Sequence, residues 1–194
     1  MNAYELPTSL NIGGVSFSIR TDFRAIIDIL IAQNDPNLNT YGKRLVMLKI
    51  LYENWENIPP EHVEEACRKA CEFIDCGQTD DDPGKPKPRL MDWGQDGEMI
   101  IPAVNKVANT EVRAAPYMHW WTFFSYFMEA GECLFNTVLG IRSKKAHGER
   151  LEKWEKKFYY DNKKIIDIRT QLSDEEQAYK DALNEKLNRY NPLA

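Results

Sequence analysis

Tyr117-Met118-His119-Trp120-Trp121-Thr122-Phe123-Phe124-Ser125-Tyr126-Phe127-Met128 is the stretch around which the rest of the chain has to be arranged. Wound as a helix, its apolar side chains cover most of the circumference. Only His119, Thr122, Ser125 and Glu129 form a narrow polar stripe. A helix of that pattern belongs inside a protein or inside a partner. With Glu129 and Glu132 just after it, it is too short to cross a bilayer, which takes about 20 apolar residues. The reading is a central core helix with Trp120, Trp121, Phe124 and Met128 largely buried.

Working outward, the amino-terminal side supplies a hairpin and three helices. Asn11-Ile12-Gly13-Gly14 is a tight-turn signal, and Val15, Phe17 and Ile19 alternate with Ser16, Ser18 and Arg20 as in a half-buried strand. Thr21 or Asp22 caps a helix over about 22–34 that buries Phe23, Ile26, Ile27 and Leu30. A second helix, about 40–54, carries apolar residues on two sides, and Pro59-Pro60 ends the connection after it. A third runs to Ile74 with Glu64, Glu65, Arg68, Lys69 and Glu72 on its wet face. Residues 76–90, with Thr79-Asp80-Asp81-Asp82 and three prolines, read as a surface loop. Asp92 and Gln95 have capping-box spacing, and Pro102 should kink or break the helix they start.

On the carboxyl-terminal side, Gly131 ends the central helix and another is expected from Glu132 to Ala146. Its last turn opens a basic knot, Arg142-Ser143-Lys144-Lys145-Ala146-His147-Gly148-Glu149-Arg150. Cations in a last turn followed by glycine suit the negative end of a helix. The same residues could meet phosphate or an acidic partner. Beyond Gly148, Leu151, Trp154, Phe158, Asp161, Ile165, Ile168 and Leu172 follow a three-four spacing, the seam of a heptad helix. Ser173 with Glu176 then opens a last helix carrying Tyr179, Ala182, Leu183 and Tyr190. The fold class is therefore mainly α. A helical core domain with an amino-terminal β-hairpin spans 1–148, and a charged carboxyl-terminal αα-hairpin extension spans 149–194. That hairpin either folds back on the core or projects to receive another helix. Trp154, Phe158, Ile165 and Ile168, with Arg142, Lys144 and Lys145, are the candidate partner-binding residues. On this reading a chain ending near Gly148 stays folded and loses only its association.

Composition narrows the function classes. A chain of 194 residues that is 43% hydrophobic can close one core, and its charge of −5 does not suit a general nucleic-acid binder. No apolar run follows Met1, so neither a signal peptide nor an anchor is expected. Cys67, Cys71, Cys76 and Cys133 contain no Cys-x-x-Cys pair, and His62, His119 and His147 are scattered. No metal, other cofactor or disulfide is expected. No nucleotide loop, Gly-x-Ser-x-Gly elbow or His-Glu-x-x-His helix is present. His119 could form an acid–base couple with Glu129, but on an aromatic helix a hydrogen-bonded structural histidine is the simpler reading.

His119-Trp120-Trp121-Thr122-Phe123, Ile141-Arg142, Lys144-Lys145, Lys153-Trp154-Glu155 and Phe158-Tyr159 resemble the bacteriophage gene-product-fifteen family. Asp92-Trp93 and the run Ile100-Ile101-Pro102-Ala103-Val104-Asn105-Lys106-Val107 resemble one branch of it. That resemblance implies a role in phage tail morphogenesis, as a tail assembly chaperone for the tape-measure protein. It transfers no catalytic residue, so no enzyme is expected. The partners it implies are the tape-measure or other tail proteins, with a homo-oligomer also open and neither membrane nor nucleic acid expected. The place it implies is the host cytoplasm. The alternative is a phage-encoded enzyme or nucleic-acid-associated factor acting through the 142–150 segment.

Overall fold

A computed structural model describes residues 4–77 and 88–190, apart from the side chains of 184 and 186–190. The acidic run expected in a loop at 79–82 and the side chain of Tyr190 lie outside the described residues. The fold is mainly α with one amino-terminal hairpin. Strands β1 (Ser9–Ile12) and β2 (Val15–Ser18) pair antiparallel, Leu10 opposite Phe17 and Ile12 opposite Val15. Gly13 and Gly14 both have positive φ, +56° and +82°, as the two-residue hairpin turn requires. The inward face belongs more to β1 than expected. Leu10 and Ile12 are buried, whereas Val15, beside the turn, is exposed.

Three helices follow: α1 (Phe23–Gln33), α2 (Thr40–Leu51) and α3 (Val63–Ile74). Asp22 is the cap of α1, accepting from the Arg24 N–H at 3.0 Å. The chain continues from β2 alongside the end of α2, where Ile19 bridges Tyr52 and the Arg20 guanidinium donates to the carbonyls of Lys49, Ile50 and Tyr52. Three carbonyls at the end of that helix, which no further turn can satisfy, thereby gain a cationic donor. Tyr52 is fully buried, its hydroxyl donating to the Ala66 carbonyl at 2.8 Å, and burial pushes its phenol well above the usual range.

Helix α4 (Trp93–Ala108) runs through Pro102 without a break, so of the two outcomes expected there, a kink or an interruption, the interruption does not occur. Glu98 and Pro102 both lie on its exposed side, where the carbonyl that Pro102 leaves without a helical donor is within reach of solvent. Asp92 accepts the Gln95 N–H at 2.7 Å as the cap predicts, but the return bond comes from Asp96, whose Oδ2 accepts the Asp92 N–H at 2.9 Å. Gln95 instead reaches the chain at 167–169, donating to the Asp167 carbonyl and accepting from the Arg169 N–H.

Helix α5 (Trp120–Glu129) occupies the centre. Its start is joined to the start of α1: Asp22 bridges His119, the Trp120 N–H donates to the Thr21 carbonyl, and Phe23 stacks on Phe123 at 4.4 Å. The indoles of Trp120 and Trp121 donate to the carbonyls of Ile74 and Phe73, at 2.8 and 2.9 Å, and so close the end of α3. Trp120, Trp121 and Phe123 are buried and Phe124 is partly buried. Met128, expected inside, is 64% exposed. The helix ends one residue later, and its last turn has left the core. His119 is the helix cap rather than a member of an acid–base couple. Its Nδ1 accepts the Trp121 N–H at 3.0 Å and its Nε2 donates to the Pro7 carbonyl at 3.1 Å, while Glu129 is exposed.

The chain then forms α6 (Leu134–Ala146), α7 (Lys153–Asp161), α8 (Lys163–Ile166) and α9 (Asp174–Tyr190). Gly148 takes φ +70° after α6, the left-handed cap expected of it. The heptad seam does not run through one helix. It breaks at Asn162, and residues 167–173 are not helical. Leu151, Phe158 and Ile165 pack against the core and Ile166 is fully buried, so α7 and α8 fold back on the body.

Candidate interaction surfaces

Arg142, expected at the surface in the basic knot, is 5% exposed, and its partner Asp96 is 0% exposed. Both stand in the inward register of their helices. Asp96 precedes Met99, Ile100 and Ala103 on α4, and Arg142 follows Phe135 and Val138 by seven and four residues on α6. The guanidinium binds Asp96 with both Nη atoms, at 2.6 and 2.8 Å. Its remaining N–H groups donate to the carbonyls of Leu90 at 2.9 Å, Ile165 at 2.8 Å and Ile166 at 2.6 Å. All five donors of the fork are used. One cation therefore locks α4, α6, α8 and the segment that leads into α4.

The lysines of the knot are also engaged within the chain. Lys144 donates to Glu155 at 2.7 Å. Lys145 donates to Asp167 at 2.6 Å and lies over the Tyr159 ring at 3.8 Å. The paired ammonium groups hold the Glu155 and Asp167 carboxyls below their usual range, against the opposing pull of desolvation. For Asp167 desolvation is the larger single influence, and the Lys145 and Tyr159 hydrogen bonds together with nearby lysines outweigh it. These residues attach α7 and the segment after α8 to α6. In this arrangement Arg142, Lys144 and Lys145 do not form a free basic surface.

The apolar candidates divide. Ile165 and Phe158 are partly buried against the core and Ile168 is half-buried. Trp154 is 59% exposed and Tyr160 75%, on the outer side of α7 beside Lys153, Lys156 and Lys157. Every described side chain of α9 is exposed, Tyr179 and Leu183 included. One hydrogen bond from its start to the body runs from the Asp174 N–H to Asn37 Oδ1, at 2.9 Å. Tyr160 was not singled out in the sequence because it falls off the heptad register. Its place next to Lys156 and Lys157 on the far side from Glu155 was the available signal.

Two further concavities lie on the amino-terminal helices. A cleft of about 460 Å³ between α1, α2 and α3 has Ile29, Leu30, Met47 and Ile74 in its walls, with Lys43, Arg44 and Arg68 among its charged residues. Arg44 is paired with Glu64 and Arg68 with Glu72. Cys67 and Cys71 also line it. Burial raises both thiols and pushes Cys76 up to about 12, so none is set up as a thiolate nucleophile at neutral pH. A groove of about 410 Å³ runs along the other side of α2, between Tyr41, Leu45, Leu48, Trp55 and Val63. Among the described residues, no three of His, Cys, Asp and Glu converge to hold a metal ion, and no helix is long and apolar enough to cross a membrane.

No curated protein and no solved structure matches the chain. The family model described as Bacteriophage Gp15 protein matches residues 3–168, from the segment before the hairpin to the end of the Arg142-linked body, leaving α9 outside it. With most of its length covered by that match, the chain belongs to the bacteriophage Gp15 protein family.

Proposed function

We propose that this phage protein is a tail morphogenesis factor, a tail assembly chaperone that binds amphipathic helices of the tape-measure protein. The observation that carries the reading is the set of large apolar side chains left outside a closed body. Trp154 and Tyr160 on α7, and Tyr179 and Leu183 on α9, are all exposed. An aromatic anchor flanked by long charged side chains is the kind of surface that takes the apolar face of a partner helix. Full burial of one such side chain is worth about 1.5–3 kcal/mol, enough for a few anchors to hold a helix. The alternative, an enzyme or nucleic-acid factor acting through 142–150, would need Arg142, Lys144 and Lys145 available. All three are engaged within the chain, which favours the assembly reading.

Co-expression with the tape-measure polypeptide of the same phage or prophage genome tests this. The two should co-purify, and the tape-measure chain should aggregate when expressed alone. A tape-measure polypeptide that is equally soluble without this protein, and never retained by it, would contradict the reading. The gene order is a second check. A tail chaperone should be encoded immediately before a very long tape-measure gene.

A further inference from the structure

The two walls of the groove along α2 carry opposite charge. Helix α2 holds Lys43, Arg44 and Lys49 and no carboxylate. The segment after it, residues 52–65, holds Glu53, Glu56, Glu61, Glu64 and Glu65 and no lysine or arginine. Within the chain Glu64 pairs with Arg44, and Glu65 accepts the Gly13 N–H and stands beside His62. Lys43 borders the cleft on the other side of the helix. Lys49 lies over the Trp55 ring at 5.1 Å, a contact that leaves its charge without a carboxylate. Glu53, Glu56 and Glu61 are exposed, and no cation pairs with them among the described residues.

Between these walls the apolar side chains are covered at one end only. Tyr41, Leu45, Leu48 and Tyr52 follow a four-three-four spacing, the seam along which one helix packs on another. Leu48 and Tyr52 are buried, Leu45 is half-buried and Tyr41 is 74% exposed. Beside the open half, Leu45, Leu48, Trp55, Ile58 and Val63 bound the hollow of about 410 Å³. A single exposed aromatic side chain is ordinary. Here one projecting ring, one apolar hollow and two oppositely charged walls share a single patch. Under a two-fold axis each of these features meets its complement on the other copy, which is what a self-complementary surface requires.

We infer that two copies of this chain associate through this groove. Tyr41 of each enters the hollow bounded by Trp55, Ile58 and Val63 of the other, and the basic wall of each α2 lies along the acidic 53–61 segment opposite. The Arg44–Glu64 pair stays within its own chain, and Lys49 meets Glu56 and Glu61 across the axis. The contact is closed and isologous. It uses no side chain of α7 or α9, so the anchors proposed for the tape-measure helices stay open in the dimer.

Sedimentation equilibrium of the purified full chain tests it, and the expected result is a monomer–dimer equilibrium. Tyr41→Ala, which changes no charge at an exposed position, should weaken it at least about tenfold. Lys49→Glu sets an acid against acids across the axis, and Glu56→Lys/Glu61→Lys sets cations against cations. Each variant should remain folded by circular dichroism and dimerise at least about tenfold more weakly. Mixed in equal amounts, the two should form a heterodimer, because each α2 then meets opposite charge. Trp154→Ala/Tyr160→Ala should dimerise as the unaltered chain does, so that loss of the dimer and loss of tape-measure binding are read separately. A full chain that stays monomeric at all concentrations overturns the inference, including one whose Tyr41→Ala variant instead loses the tape-measure polypeptide. So does a dimer that Tyr41→Ala and both charge reversals leave intact, a dimer lost in Trp154→Ala/Tyr160→Ala, or a mixture of the reversed variants that fails to associate.

Discussion

Replacing Arg142 with methionine keeps the aliphatic stem and removes the fork that joins α4, α6 and α8. Three consequences follow from the geometry. The Asp96 carboxylate, wholly buried, keeps only the Asp92 N–H as its donor. The carbonyls of Ile165, Ile166 and Leu90 lose their donor from Arg142. The stem still packs, so little apolar burial is lost. Removing one partner of a buried ion pair costs about 3–5 kcal/mol, and the abandoned carbonyls place Arg142→Met toward the upper end. Asp96→Asn should cost about 2–4 kcal/mol, because it leaves the guanidinium buried with one weak partner in place of a bidentate anion. The double variant Arg142→Met/Asp96→Asn removes both charges and should cost at least about 1 kcal/mol less than the sum of the single changes. Urea denaturation followed by tryptophan fluorescence measures all three, since Trp120 and Trp121 are buried reporters. Hydrogen exchange should show the loss first at residues 163–168, whose last carbonyls the arginine holds. An Arg142→Met variant that loses less than about 1 kcal/mol would refute the reasoning, as would additivity in the double variant.

Three further outcomes follow. Deleting everything after Gly148 removes Ile166 from the core and two acceptors from Arg142, so it should cost at least about 3 kcal/mol by chemical denaturation; deleting everything after Thr170 should cost under about 1 kcal/mol. Burial lowers the basicity of His119 relative to its ordinary value of 6.5, and its Nδ1 must stay unprotonated to accept the Trp121 N–H. Protons therefore bind the unfolded chain more readily, and His119 contributes stability above 6.5 that is lost as pH falls below it. His119→Asn, which can still cap α5 but does not titrate, should flatten the stability–pH curve between 4.5 and 6.5, above the range where Glu155 and Asp167 come into play. Gly13→Ala places a methyl group 2.5 Å from His62 Nε2 at a φ of +56°, and should lower stability by at least about 1 kcal/mol in thermal unfolding, against a smaller loss for Gly14→Asn, where nothing lies near.

Most of the helices were legible because apolar periodicity and caps are local properties. The hairpin turn at Gly13-Gly14, the caps at Asp22, Asp92 and Ser173, and the glycine stop at Gly148 all depend on neighbours within a few residues. What the sequence hid depends on distant partners. Arg142 in a last turn looks like a dipole-compensating surface cation until Asp96 stands opposite it, 46 positions away. A hint was present: each sits where its helix otherwise carries apolar residues, and a charge in that register implies an opposite one facing it. The heptad spacing from Leu151 to Leu172 suggested one long helix because periodicity does not register Asn162. There the helix ends, and the chain turns so that Ile166 enters the core and the carbonyls of Ile165 and Ile166 meet the guanidinium. Met128 was misjudged, and Pro102 does not break its helix, because each lies on a side that faces water, which pattern alone did not reveal. The anchors proposed for association were half legible. Trp154 was picked out by the seam, but Phe158, Ile165 and Ile168 share that seam and turn toward the body.

The central claim is that a closed body carries exposed anchors on α7 and α9 for the helices of a tape-measure protein. Its most direct test is the affinity of the purified chain for the co-encoded tape-measure polypeptide, set beside that of Trp154→Ala/Tyr160→Ala. Both replaced side chains are exposed, so the variant should keep its stability to within about 0.5 kcal/mol. The account predicts that it binds at least about tenfold more weakly, a loss of about 1.4 kcal/mol or more. A variant that folds normally and binds the tape-measure polypeptide as tightly as the unaltered chain would contradict it.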